Sequence, residues 1–322
     1  MNRVYVHGWG AVSPAGWGCG SLVDALNAGV ALTTTPTAGP NGAMLPGRRV
    51  PTPTPRPAWM AQARLRRSSL ISQFTVGAVL EALAQAEAGP AGPIERARLG
   101  VVFNVFGGSV IYSRRFFEEV LVNPAQASPL LFPETVFNAP ASHLAAVLGS
   151  RAPNHTLVSD QSGFLQGLSV AADWLADGNL EACVVVGAEE WDWSVAVAAR
   201  LFDRASTLGE GAGALVLRRA PGPVELQGLS DPVPYVRATT RRSAAGKVRD
   251  QLQLAFPTAR FPELRATAVL GDGLAATGAW ECAAAVAGVA AGGSAHQGPS
   301  ALVITGATLQ AQGVCFARSG PA

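Results

Sequence analysis

Apolar positions along this chain follow two periods, and the change from one to the other is sharpest between residues 156 and 187. Thr156, Leu157 and Val158 form a short β-prone run. Leu165, Leu168, Val170, Ala171, Trp174 and Leu175 then recur at helical spacing, and Ala182 to Val186 follow without a polar residue. The pattern predicts a strand, a tight turn, a helix packed on a sheet and a second, buried strand. Gly178 stops the helix, and Gly187 ends an apolar run typical of a parallel sheet covered on both faces. Ser159 and Asp160 supply side chains that can cap the helix start. Gln161 then stands at a helix N-terminus, where free N–H groups and the macrodipole favour a thiolate or a developing oxyanion.

The same reading predicts a strand over 4–7, a glycine-lined turn, and a helix over 21–27 capped by Gly29. Gly8-Trp9-Gly10 is not a dinucleotide fingerprint, because Pro14 and Gly16 interrupt the helix that would receive a pyrophosphate. Thr, Pro and Gly dominate 33–57, predicting a surface loop with little regular structure. Two helical segments over 60–87 are predicted to bury Leu65, Leu70, Ile71, Phe74, Val76, Val79, Leu80 and Leu83, and Arg64, Arg66 and Arg67 form a basic cluster at their start. A solvated face is the plain reading of that cluster; contact with an acidic partner is the sharper one. After a strand over 100–103 comes a helix over 111–122, whose Tyr112, Phe116, Phe117, Val120 and Leu121 predict a core-facing stripe.

Few other motifs carry chemistry. His143 reads as a packed helix histidine, and His155 and His296 fall in predicted loops. Glu189 and Glu190 are adjacent, so they point different ways and serve better as supports than as an acid–base pair. The glycine run 209–213 lacks the Lys-Ser/Thr ending of a phosphate loop and precedes a strand. Pro221 to Pro223 divides the chain into halves, 1–220 and a shorter 221–322, and the latter ends in two strands near 300–306 and 314–316.

Composition narrows the options. At 322 residues and 48% hydrophobic content the chain can bury a large α/β core, and with only 14% charged residues much of its surface is expected to be covered by a partner. A net charge of +2 gives no electrostatic footprint for nucleic acid. Cys19, Cys183, Cys282 and Cys315 are far apart with no CxxC, which argues against a metal site or a disulfide framework. No cofactor motif is present. With no apolar run long enough for a bilayer and no signal-peptide pattern, the expectation is a cytoplasmic protein that inserts in no membrane.

Aligned without a gap from Gln161 to VVVGAEE, the central stretch resembles the nucleophile elbow of the β-ketoacyl synthases of the thiolase superfamily, with Gln161 where the condensing Cys would be. Three more segments agree in order: VYVHGWGAVSPAGWG from Val4, STLGEGAGALVL from Ser206, and LGDGLAATGAWECAAAV from Leu270. The resemblance implies a thiolase-like layered α/β/α/β/α fold from two pseudo-repeated halves, the second contracted. It also implies that 106–138 lies near a dimer interface and an acyl tunnel, which makes Phe106, Tyr112, Phe116, Phe117, Phe137 and Asn138 candidate tunnel and interface residues.

The chain departs from its relatives where the chemistry resides. The HGT-type loop falls near 235–245, which has no histidine, and Asp272 occupies the second histidine's place. Decarboxylative condensation needs a thiolate and groups that stabilise an enolate. A Gln amide is no nucleophile, and an ionised Asp272 would repel the enolate. Gln at the Cys position is also what chain length factors of type II polyketide synthases look like. The expectation is therefore a non-catalytic subunit in a heterodimer with a catalytic ketosynthase, setting polyketide or polyene chain length and meeting an acyl carrier protein through that partner. Two alternatives stay open: an acyltransferase using another nucleophile, with Cys19 at a helix start the candidate, and a thiolase-fold scaffold or binding protein with no polyketide role.

Overall fold

The computed structural model of the chain describes residues 3–292, 298–306 and 310–320; His296 lies outside the described residues. In order, the elements are β1 (Val4–Ser13), β2 (Gly16–Trp17), α1 (Cys19–Ala28), β3 (Thr35–Ala38), β4 (Met44–Arg48), α2 (Ala63–Arg66), α3 (Leu70–Ala88) and β5 (Leu99–Val105). Then come α4 (Val110–Val122), α5 (Ala139–Leu148), β6 (Asn154–Val158), α6 (Gly163–Ala176), β7 (Ala182–Glu189), α7 (Trp193–Phe202), β8 (Leu208–Gly209) and β9 (Gly211–Arg218). The chain closes with β10 (Val224–Leu229), β11 (Val233–Pro234), α8 (Ala238–Ala255), α9 (Ala266–Leu270), α10 (Ala275–Ala291), β12 (Ser300–Thr305) and β13 (Gln310–Arg318).

The main sheet has the order β11-β13-β10-β1-β9-β7-β5-β6, with β12 beside β13. β5 pairs in parallel with β6 and β7, while β7, β1 and β10 each meet their other neighbours antiparallel. β1 joins the two parts: Val4 to Val6 pair with β10, and Tyr5 to Val12 pair with β9. Five layers result. α3 and α5 cover one face of β1, β9, β7 and β5; α6 and α10 fill the middle; β12 and β13 lie beyond them, and α8 covers β13 on the outside. This mixed α/β arrangement has the thiolase-like layering expected from the sequence.

The middle layer explains why the hydrophobic pattern is so uniform there. Helix α10 is alanine-rich and touches strands on both sides, so most of its residues are buried whatever their angular position. Strands β7 and β9 are buried at every position for the same reason. On the outer side, α3 lies against β1 at backbone distance, since a Cβ at Gly10 would overlap the carbonyl oxygen of Ala78.

Several local expectations need correction. The 33–57 segment is not structureless: β3 and β4 form a hairpin, and β4 continues in parallel onto β8. The proline-rich composition hid this hairpin, because Pro36 and Pro46 interrupt the alternation that marks a strand. β7 runs through Gly187 to Glu189, because Gly187 pairs with Gly213 on β9 instead of turning. His155 belongs to edge strand β6 and meets Trp174 edge-on at 6.4 Å. The aromatic stripe of α4 does not enter the core: no residue of that helix is buried.

The contact between α3 and β1 yields a stability prediction. Gly10→Ala should lower the free energy of unfolding by about 1–3 kcal/mol, as overpacking does in a site that cannot relax. A urea titration of the two proteins that gave coincident midpoints would refute the claimed closeness of the layers.

Candidate functional site

The candidate site lies where the turn after β6 meets the start of α10. The Ser159 N–H donates to the Val105 carbonyl at 2.9 Å, and the Asn104 amide donates to the Asp160 carbonyl at 3.1 Å, which ties the turn to β5. Asp160 in turn accepts from the Ser162 hydroxyl at 3.2 Å. Helix α10 crosses directly over the turn, and a Cβ at Gly278 would overlap the Gln161 carbonyl oxygen. The Gln161 side chain is buried, and its Nε2 donates to Asp272 Oδ1 at 2.7 Å. The structure thus brings together the two residues that the sequence aligned with a vanished Cys and His.

Asp272 is held as firmly as its partner. Its backbone bridges to the 207–209 segment, with Asp272 N donating to Thr207 O at 2.8 Å and Gly209 N donating to Asp272 O at 2.9 Å. The carboxylate also accepts from Leu274 N at 2.9 Å, and Leu274 has φ of 47°, a conformation that the surrounding contacts must enforce. Burial raises the Asp272 pKa, opposed by the hydrogen bonds from Leu274 and Gln161. Thr277, whose hydroxyl accepts from Gly273 N at 2.8 Å, completes the loop; no sequence motif singled it out.

The segment aligned with the HGT-type loop is the lead into α8. There Tyr235 donates to the Gly306 carbonyl, and Arg241 Nε donates to Thr305 Oγ1 at 3.1 Å. Gly306 lies against the Asp160 carboxylate. Neither Tyr235 nor Arg241 was legible as a site residue, because their partners come from the distant strand β12.

Thiol and imidazole groups are engaged elsewhere among the described residues. His7 Nε2 lies 2.8 Å from the Ala220 carbonyl oxygen, and His143 Nε2 lies 2.8 Å from a Glu134 oxygen, an acid that motif spacing did not reveal. Cys19, offered by the sequence as an alternative nucleophile, is 3% exposed, and burial together with the Glu81 carboxylate pushes its pKa up to about 12. The lowered pKa expected of a helix-start thiol is therefore overturned. Cys183, Cys282 and Cys315 are buried as well, with raised pKa values. Thiolate chemistry at neutral pH has no support from any of the four. No group of three or more His, Cys, Asp or Glu among the described residues is placed to hold a metal ion.

None of the six candidate tunnel and interface residues is hydrogen-bonded to Gln161 or Asp272. Phe106, Phe117 and Phe137 are 44%, 60% and 46% exposed, too open for core residues. Phe116 is half-buried and packs on Phe132 at 5.6 Å. The Tyr112 hydroxyl donates to the Arg67 carbonyl at 2.6 Å, and exposed Asn138 precedes α5, its carbonyl accepting from Ser142 N. Leu121, Val122, Leu130 and Val136 extend this apolar exposure.

Adjacent Glu189 and Glu190 do point apart. Glu189 accepts from the Phe106 and Gly107 N–H groups; Glu190 accepts from Ile71 N, Ile111 N and the Ser69 hydroxyl. These donors favour the charged carboxylates, but burial outweighs them and raises Glu189 to about 8 and Glu190 to about 7. Burial likewise raises Glu281, on α10, to about 7. Each group keeps its proton in the folded chain at pH values where the unfolded chain, near 4.5, has released it. Stability contributed in this way is present below pH 4.5 and lost as pH rises through 7 to 8. Urea midpoints should accordingly be higher at pH 6 than at pH 9, and a midpoint that rises over that interval would contradict the assignment.

No curated protein matches the chain by sequence. Its fold is similar to that of the ishigamide ketosynthase/chain length factor (TM-score 0.80, 19% identity, 99% of this chain and 100% of that one). It is also similar to a ketosynthase (ApeO) in complex with its chain length factor (ApeC) from Xenorhabdus doucetiae (TM-score 0.76, 14% identity, 99% and 98%). A third is the apo AntDE:AntF assembly, a type II PKS acyl-carrier protein in complex with its ketosynthase bound to the hexaketide (TM-score 0.79, 16% identity, 99% and 99%). At these identities the likeness speaks for the fold. The profile of the β-ketoacyl synthase N-terminal domain matches residues 1–221, more than half of the chain, and the protein belongs to the β-ketoacyl synthase family.

Proposed function

We propose that this chain is a non-condensing chain length factor that pairs with a catalytic ketosynthase and bounds its acyl tunnel. The observation that carries the reading is the Gln161–Asp272 hydrogen bond: an amide and a carboxyl fill the position where condensation needs a thiolate and an imidazole. Neither group can carry an acyl chain as a thioester, and a carboxylate disfavours an enolate.

The surface supports the partnership. Phe106, Phe117, Leu121 and Phe137 are exposed apolar side chains, and β6 ends the sheet with one edge free of strand neighbours among the described residues. An uncovered sheet edge beside exposed aromatics calls for a second chain. Structures of similar fold include a ketosynthase in complex with its chain length factor. On this reading Phe106, Tyr112, Phe116, Phe117, Phe137 and Asn138 meet the partner and its tunnel, and their bulk sets its depth. Arg64, Arg66 and Arg67 line, with Arg115 and Tyr112, a surface cavity of about 700 Å³ suited to an acidic carrier protein or an acidic partner surface.

Co-expression with a ketosynthase that carries the Cys and both histidines should yield a one-to-one complex. Phe117→Arg should abolish co-purification, and Phe137→Ala or Phe116→Ala should lengthen the products of the complex while leaving it assembled. Decarboxylation or elongation of a malonyl thioester by the isolated chain would defeat the reading, as would identical products from every variant.

A further inference from the structure

The turn between β5 and α4, residues 106–111, carries Phe106 at one end and leads into the aromatic stripe of α4 at the other. Its middle supports Phe137, whose ring packs on Gly108. The turn has no sheet partner of its own among the described residues; two carboxylates at the end of β7 hold it instead. Glu189 Oε1 accepts from both Phe106 N and Gly107 N, and Oε2, 3.1 Å from Gly107 N, only shares that second donor. Glu190 uses its two oxygens separately: Oε1 accepts from Ile111 N at 2.9 Å, and Oε2 accepts from Ile71 N at 3.1 Å and from the Ser69 hydroxyl. Glu190 therefore couples the first turn of α4 to the first turn of α3, which is anchored in the core by Ile71 and Phe74.

We propose that Glu190 is a positioning residue for the partner-facing surface: through Ile111 it fixes the angle at which α4 presents Phe116 and Phe117, and so the fit of that face to whatever covers it. Glu189 holds the other end of the same turn in a more tolerant way. The asymmetry follows from donor counting. A Gln at 189 keeps one carbonyl oxygen, enough for both N–H groups. A Gln at 190 replaces one of two necessary acceptors by an NH₂ that faces an N–H, so either Ile111 or the Ser69–Ile71 pair loses its acceptor. The inference rests on the proposed pairing only for the identity of the partner.

Glu190→Gln, Glu189→Gln and, as a control, Glu81→Gln separate the possibilities. Glu81 is a carboxylate that likewise accepts backbone N–H groups, from Ala11 and Cys19, far from the 106–111 turn. In hydrogen exchange on the full chain, co-purified with its ketosynthase, the Ile111 amide should exchange about tenfold faster in Glu190→Gln, the loss expected when one partly buried hydrogen bond is broken. It should stay near wild type in Glu189→Gln and Glu81→Gln. Glu190→Gln should also weaken the complex about tenfold and broaden the product lengths, whereas Glu81→Gln should lower thermal stability without moving either. Equal effects of all three variants, or faster exchange with an unchanged complex and product profile, would overturn the assignment. If wild type forms no ketosynthase complex, exchange on the chain alone still reads the clamp: faster Ile111 exchange in Glu190→Gln would sustain it while the pairing failed.

Discussion

The structure depends on how closely α10 lies across the elbow. Because Gly278 has no side chain, the helix backbone can rest against the Gln161 carbonyl, and that contact fixes the distance between the strands of the first sheet region and those beyond the helix pair. A layer this thin admits alanine and glycine but few long side chains, which is why α10 reads as an almost unbroken apolar run. The polar groups that do occur there are confined to its ends and to bonds with neighbouring turns. Gln161 and Asp272 meet because this helix brings the 271–274 loop over the 159–162 turn; their bond follows from the packing and then reinforces it.

The electrostatics of the region differ from those of a thiolate–imidazole site. Glu189 and Glu190 lie at the end of β7, Asp272 just before α10 and Glu281 within it, and burial raises the pKa of each. Burial of several carboxyls so close together disfavours their charged forms, and any one that ionises repels further negative charge. A surface that accumulates anions in its reaction intermediate needs the opposite arrangement, a set of donors aimed at the developing charge. On the proposed reading the chain has exchanged stabilisation of an anion for a hydrogen-bonded amide–carboxyl plug.

Much of this was legible from the residues. Strand, turn, helix and strand around Gln161 followed from a change of period; aligning two short motifs singled out Gln161 and Asp272 separately, and only the structure shows the bond between them. What failed did so for stated reasons. Strands β3 and β4 were hidden because proline is a poor signal for a hairpin whose outer strand is exposed. Cys19 looked reactive because a helix start lowers a thiol pKa, yet the sequence could not show that Glu81 and the core would surround it. Tyr235, Arg241 and Thr277 carried no motif, since each is defined by a partner in another part of the chain.

The stripe on α4 shows why periodicity alone cannot assign a core. Tyr112, Phe116, Phe117, Val120 and Leu121 recur as they would on a helix covered by its own sheet, and the amphipathic pattern is the same if the cover is another molecule. What separates the cases is the rest of the fold: α3 and α5 already occupy the sheet face that α4 would need, and Glu189 and Glu190 tether its leading turn from the end of β7, not from the sheet's surface. The helix is thus placed by polar bonds, Ile111 to Glu190 and Arg114 to Asp192 among them, while Phe117 and Leu121 on it stay exposed. A lone subunit with such a helix exposes apolar area that water disfavours, and burial against a second chain would recover roughly 25 cal/mol for each Å² covered. On the proposed reading, the same side chains that leave this surface unsatisfied in isolation supply the driving force for assembly, while the carboxylate tethers decide its geometry.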